Sequence, residues 1–125
     1  MEYTEDMERS VFLEKEGDTP KNRLLDFFVV YSDFDYSLKD IAKLSKVSYP
    51  YIKTHKKGLL KNKWIVLTRN VGKAQMYKLN LKSKVVKKFI EYYWAVVDEA
   101  VEEELGIKNK HRSYAPQVAV SAKNL

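Results

Sequence analysis

The chain has 125 residues, room for one domain with a real core and an appended element. Hydrophobic residues at 45% and aromatics at 13% indicate a globular chain, and the absence of cysteine excludes disulfides, cysteine zinc sites and a thiol nucleophile. The net charge of +6 is segregated: residues 41–90 carry thirteen Lys and one Arg without an Asp or Glu, while residues 1–20 hold seven acids and residues 91–107 six. Such segregation focuses positive potential on one part of the fold and favours a polyanionic partner. The plainer alternative is a lysine-rich, thermostable surface, but such surfaces normally mix both signs. The acidic start MEYTEDMERS does not read as a signal peptide. No apolar run approaches the ~20 residues of a membrane span, so the expectation is a cytoplasmic protein with no membrane partner.

Residues 1–18 read as an acidic arm, extended or partly helical, with one apolar knot at Val11-Phe12-Leu13. A helix then begins, with Asp18 or Thr19 as cap and Pro20 in its first turn, where the missing N–H costs nothing. Leu24, Leu25, Phe27, Phe28, Val29 and Tyr31 make it apolar on most sides, as a central core helix would be. Ser37 caps a short helix that puts Leu38, Ile41, Ala42 and Leu44 on one side, with Asp40 three residues on as capping partner. After a break at Ser45-Lys46-Val47, Ser48 caps a second helix, in which Ile52, His55 and Leu59 are expected to form a narrow inward stripe. From Trp64 the period changes. Two β-rich runs around Asn70-Val71-Gly72-Lys73 predict a hairpin with a basic tip. The longest helix runs from Leu81 to a stop at Gly106, and residues 108–125 read as a flexible basic tail.

Helix, short helix, tight break, second helix and basic-tipped hairpin is the order of a helix-turn-helix followed by a wing. In IAKLSKVSYPYIKTHKKGLLKNKWIV, the apolar positions Ile41, Ala42, Val47, Ile52, Leu59, Trp64 and Ile65 suit two crossed helices running into a strand. The stretch resembles the winged helix-turn-helix domains of ArsR- and MarR-like prokaryotic transcriptional regulators and small archaeal DNA-binding proteins. The wing RNVGKAQMYKLN is similar to the Arg-x-x-Gly-Arg/Lys…Tyr-x-Leu pattern that ends many of their hairpins. The resemblance covers about residues 20–80. Two positions depart from it, since the turn and the approach to the wing often carry Gly where this chain has Lys46 and Lys63; a third, Lys56, replaces a common Leu. The expected fold is therefore α+β, mainly α: a winged helix-turn-helix over 19–80 with a two-stranded wing, followed by a long C-terminal helix over 81–107.

With Ile52 placed inward at 100° per residue, Pro50, Lys53, Thr54, Lys57 and Lys61 turn outward, with Tyr49 and Tyr51 flanking the helix start. Recognition helices meet base edges with their N-terminal residues. The candidate contacts to double-stranded DNA are therefore Ser48, Tyr49, Tyr51, Lys53, Thr54, Lys56 and Lys57. The resemblance implies that Arg69, Asn70 and Lys73 of the wing reach a neighbouring minor groove or phosphates. Lys61 and Lys63 serve solubility equally well. Arg69 is the only arginine in the basic window, and lysine lacks the bidentate fork that reads guanine. The expectation is phosphate-dominated affinity with modest base readout.

His55 invites a catalytic or metal reading, but its expected inward phase and distance in sequence from any acid favour a core histidine. His111 reads as solvated. Glu102, Glu103 and Glu104 are consecutive and diverge on a helix, so no metal, cofactor, small-molecule ligand or catalytic residue is expected. The long helix starts basic (Lys82, Lys84, Lys87, Lys88) and ends acidic, against its macrodipole. An antiparallel copy would pair those ends. The sequence therefore suggests a homodimer through Val86, Ile90, Tyr93, Trp94, Val97 and Val101. A transcriptional regulator is the leading expectation, with a plasmid or viral replication or partition protein as a close variant. A winged helix for protein contact or structured RNA is the reading from another class.

Overall fold

The computed structural model describes residues 10–106. The start of the acidic arm and the basic tail, with His111, lie outside the described residues. Within them the order is α1 (Val11–Glu16), α2 (Pro20–Val30), β1 (Tyr36–Ser37), α3 (Leu38–Ser45), α4 (Tyr49–Lys61), β2 (Ile65–Val71), β3 (Ala74–Leu79) and α5 (Lys84–Leu105). No helix is long and apolar enough to cross a membrane among these residues.

Each helix starts on a hydroxyl cap, because an N-terminal turn leaves its N–H groups unpaired. Ser10, Thr19, Ser37, Ser48 and Ser83 accept from the N–H three residues on. Thr19 takes the cap of α2, while Asp18 accepts from the Arg23 guanidinium at 2.6 Å. The long helix begins at Lys84 rather than Leu81, because Asn80 turns the chain: its side chain accepts from the Lys82 N–H at 3.1 Å. Gly106 closes that helix in the left-handed region.

The helix α2 lies between two cores. On one side Leu24, Phe27 and Phe28 pack with Ile41, Ala42, Ile52, Ile65, Tyr77, Leu79 and Val86, joining α3, α4 and the sheet. On the other, Val29 meets Phe12, Leu13 and Tyr93, with Phe89, Trp94 and Val97 at the edge. The apolar knot in the N-terminal arm is therefore docked. Phe12 stacks on Tyr93 with centroids 4.8 Å apart, and Tyr93 donates its hydroxyl to Asp26 at 2.6 Å. Burial and that bond together push the Tyr93 pKa well up.

The sheet is antiparallel, in the order β1-β3-β2. Two residues suffice for β1, where Tyr36 pairs with Tyr77 and Ser37 with Met76. The expected two-stranded wing thus gains a third strand that ties its base to the start of α3. The hairpin is also tighter than expected. Asn70 and Val71 pair with Gln75 and Ala74 inside the strands, leaving Gly72-Lys73 as a two-residue loop with Gly72 at φ 63°. Between Leu67 and Arg69 the register slips, so Thr68 is an extra residue in β2.

In α3, Leu44 turns out to solvent, and the buried position falls to Ser45, whose hydroxyl donates to the Ile41 carbonyl at 2.6 Å. The next residue carries the turn. Lys46 sits at φ 63° and ψ 37°, and Lys63, before the first wing strand, at φ 64°. These are the two positions where related patterns place Gly, and they are the described non-glycine residues with positive φ. The left-handed region costs a residue with a Cβ about 1–2 kcal/mol, partly offset by the greater unfolded-state freedom of Gly. Lys46→Gly or Lys63→Gly should each raise stability by up to about 1 kcal/mol, read as a higher urea midpoint at unchanged m value.

Candidate nucleic-acid interface

The interface is built from α4, the start of α3 and the wing. Ile52 is fully buried and fixes the phase of α4. Ser48, at the cap, and Tyr49, Pro50, Lys53, Thr54, Lys57 and Lys61 along the helix are exposed. Ser48 is engaged as the cap, its Oγ accepting from the Tyr51 N–H at 3.1 Å, so its hydroxyl has a structural partner already. Tyr51 is half-buried at the edge of the first core.

His55 is not in the core. It is exposed, its ring stacks on Tyr51 at 4.1 Å, and its Nδ1 lies 2.9 Å from the Tyr51 carbonyl oxygen. Three residues after Ile52 the helix has turned 300°, which leaves His55 60° off the inward line; Lys56, 40° off on the other flank, is half-buried instead. The inward expectation for His55 is corrected on that ground. The Lys56 stem lies toward the sheet with its Nζ 6.0 Å from the Tyr77 ring centre.

That flank of α4 opens on a cleft of about 500 Å³ between the helix and the wing. Lys39, Lys53, Lys56 and Lys73 line it beside Tyr49, Gln75 and Tyr77, with no acid among the described residues of the lining. Tyr49 lies under two ammonium groups, Lys53 at 5.2 Å and Lys39 at 5.9 Å from its ring centre. Lys39 was not among the sequence candidates. It lies just outside the acid-free window, next to Asp40, and helix phase alone does not bring α3 to the wing; β1 pairing does.

The wing candidates divide. Asn70 and Lys73 are exposed near the tip. Arg69 is held at the base, its Nε and Nη2 donating to the two Asp35 oxygens at 2.9 and 3.1 Å. Thr68, the bulge residue, donates to the same carboxylate. The Arg69 bond, then the Thr68 bond, hold the Asp35 pKa down at about 2, and Asp35 in turn raises that of Arg69. The clasp is therefore complete above the ordinary carboxylate range and is lost as pH falls toward about 2. Asp35→Asn should increase amide exchange around the bulge by roughly a few-fold near neutrality. The wild type should show that loosening only near the acid end.

On α5, Val86 and Tyr93 are 0% and 2% exposed within the single chain. They serve its own cores and have no surface to give a partner, which corrects two of the six expected interface positions. Ile90, Trp94, Val97 and Val101 are half-buried.

No family model matches the chain, and no curated protein matches it in sequence. Two solved structures match in shape. MepR, a transcription regulator of the Staphylococcus aureus multidrug efflux pump MepA, aligns over 84% of this chain and 76% of its own, with TM-score 0.56 and 13% identity. A point mutant of S. aureus MepR bound to an oligodeoxyribonucleotide aligns over 90% and 81%, with TM-score 0.55 and 14% identity. At such identity the likeness concerns the fold, and it agrees with the element order found here: this chain has an α+β winged helix-turn-helix fold with a long C-terminal helix.

Proposed function

We propose that this chain is a double-stranded DNA-binding protein, a transcriptional regulator that works as a homodimer. The observation that carries this reading is the exposed cationic side of α4 facing a cleft below the wing that is lined by four lysines and by no acid among the described residues. When a helix lies in a major groove and a wing in the next minor groove, the strand dividing those grooves passes between them. Lys39, Lys53, Lys56 and Lys73 would meet its phosphates there. Tyr49, Thr54 and Lys57 would face the groove, with Tyr51 and His55 on the opposite flank and Asn70 at the wing. Arg69 serves chiefly to hold the wing through Asp35. The MepR structure that holds an oligodeoxyribonucleotide supports DNA as the partner.

The dimer would use the half-buried stripe Ile90, Trp94, Val97 and Val101, continued by Leu105 at 63% exposure. Apolar groups at this spacing suit a second helix. The basic start and acidic end of α5 favour an antiparallel one. Two copies would present two recognition helices to a pseudo-palindromic site.

The test pairs a binding assay with a mass measurement. A labelled random-sequence duplex should be bound in preference to structured RNA of equal length. The solution mass at tens of micromolar should be twice the chain mass of 14.7 kDa. Equal preference for RNA would remove the DNA reading, and a monomeric mass would remove the dimer.

A further inference from the structure

The chain has four glycines, and three of them have a backbone reason: Gly17, Gly72 and Gly106 all sit at positive φ. Gly58 does not. It lies inside α4 with ordinary helical geometry, it is exposed, and a Cβ added there would meet no atom of the described residues within 4 Å. Glycine is the least favourable residue but proline in a helix interior. Neither conformation nor packing among the described residues accounts for it.

Its place on the helix indicates what approaches. Thr54 precedes it by four residues and Lys61 follows by three, so Gly58 lies in their exposed row, about 120° from the Ile52 line on the Tyr51 side. The row faces away from Ile52. Gly58 is nine residues into α4, about 13 Å along the axis at 1.5 Å per residue. With the N-terminal residues of α4 at the base edges, a position this far along the helix lies toward the groove's rim. The rim is a sugar–phosphate strand.

We infer that Gly58 is the point where the backbone of α4 touches the sugar–phosphate strand directly, with Thr54, Lys57 and Lys61 around it. The missing side chain lets the helix axis approach closer than any Cβ would permit. This inference rests on the reading of α4 as the recognition helix. It assigns the glycine a contact role that charge alone does not predict.

The test is Gly58→Ala with Gly58→Leu, measured for thermal stability and for duplex affinity at several salt concentrations. Gly58→Ala should raise Tm by a few degrees, as an exposed helix interior gains from losing glycine. The same change should weaken duplex binding by tenfold or more, and Leu further, with the salt slope lowered only if the whole helix is lifted off. Opposed signs for stability and affinity mark a steric contact rather than a folding effect. Duplex affinity equal to or above wild type in both variants would overturn the inference while leaving the DNA reading standing. Failure of the wild type to bind duplex DNA would remove the reading itself, and this inference with it.

Discussion

Replacing Lys53 and Lys57 together by Glu is expected to weaken duplex DNA binding by on the order of a hundredfold or more at about 0.1 M salt. Each lysine lost from a phosphate lowers the salt slope by about one, and each glutamate adds repulsion. Both side chains are exposed on α4. Their replacement should therefore leave stability within about 0.5 kcal/mol, as for surface changes away from special features. Lys53 adds a second effect, since its ammonium lies over Tyr49 and orients that ring in the cleft. A variant that folds normally and still binds DNA would place the partner on another surface. A protein-contact or RNA function would also leave duplex binding indifferent to this pair.

Phe12→Ala should be the most damaging single change to stability, by about 3–5 kcal/mol. The ring is 2% exposed and touches two aromatic partners, stacked on Tyr93 and edge-on to Phe89 at 5.8 Å. Aromatic pairs of this kind contribute about 0.5–1.5 kcal/mol beyond area. The loss would also uncover Tyr93, whose bond to Asp26 ties α5 to α2. Urea unfolding measures it directly, with wild type and variant compared at a common m value. A change below about 1 kcal/mol would mean that α1 does not hold to the second core.

The two expected results differ in how visible they were from the residues alone. The helix α4 was legible because Ser48, Pro50 and Ile52 mark a start and a phase, and its cationic side because acids are missing over fifty positions. The wing was legible from Gly72 and the alternating runs beside it. Phe12 was legible only as an apolar knot. Its docking depends on Tyr93, eighty-one residues away, and no local pattern shows that the long helix keeps a place for it.

Three details needed the tertiary structure. The strand β1 is two residues long and carries no periodicity, yet it brings Lys39 to the cleft. Arg69 read as a free cation at the wing; Asp35 holds it, from a loop thirty-four residues earlier. His55 shared a spacing with Ile52 and Leu59 that fits a stripe, but a stripe this narrow spares room for few residues, and Lys56 with its long apolar stem took the inner flank. Lys46 and Lys63 show the reverse case. The family pattern marked both as glycine sites, and both adopt the left-handed conformation that glycine would have eased.

In the proposed function a face of α4, the cleft and the wing grip DNA mainly through its phosphates. The measurement that tests it most directly is the salt dependence of wild-type binding to a duplex between 50 and 200 mM monovalent salt. With about six phosphates neutralised, affinity should fall roughly a thousandfold across that range, a slope near −5 in log–log form. An affinity that barely moves over the same range would rule out a phosphate-dominated grip.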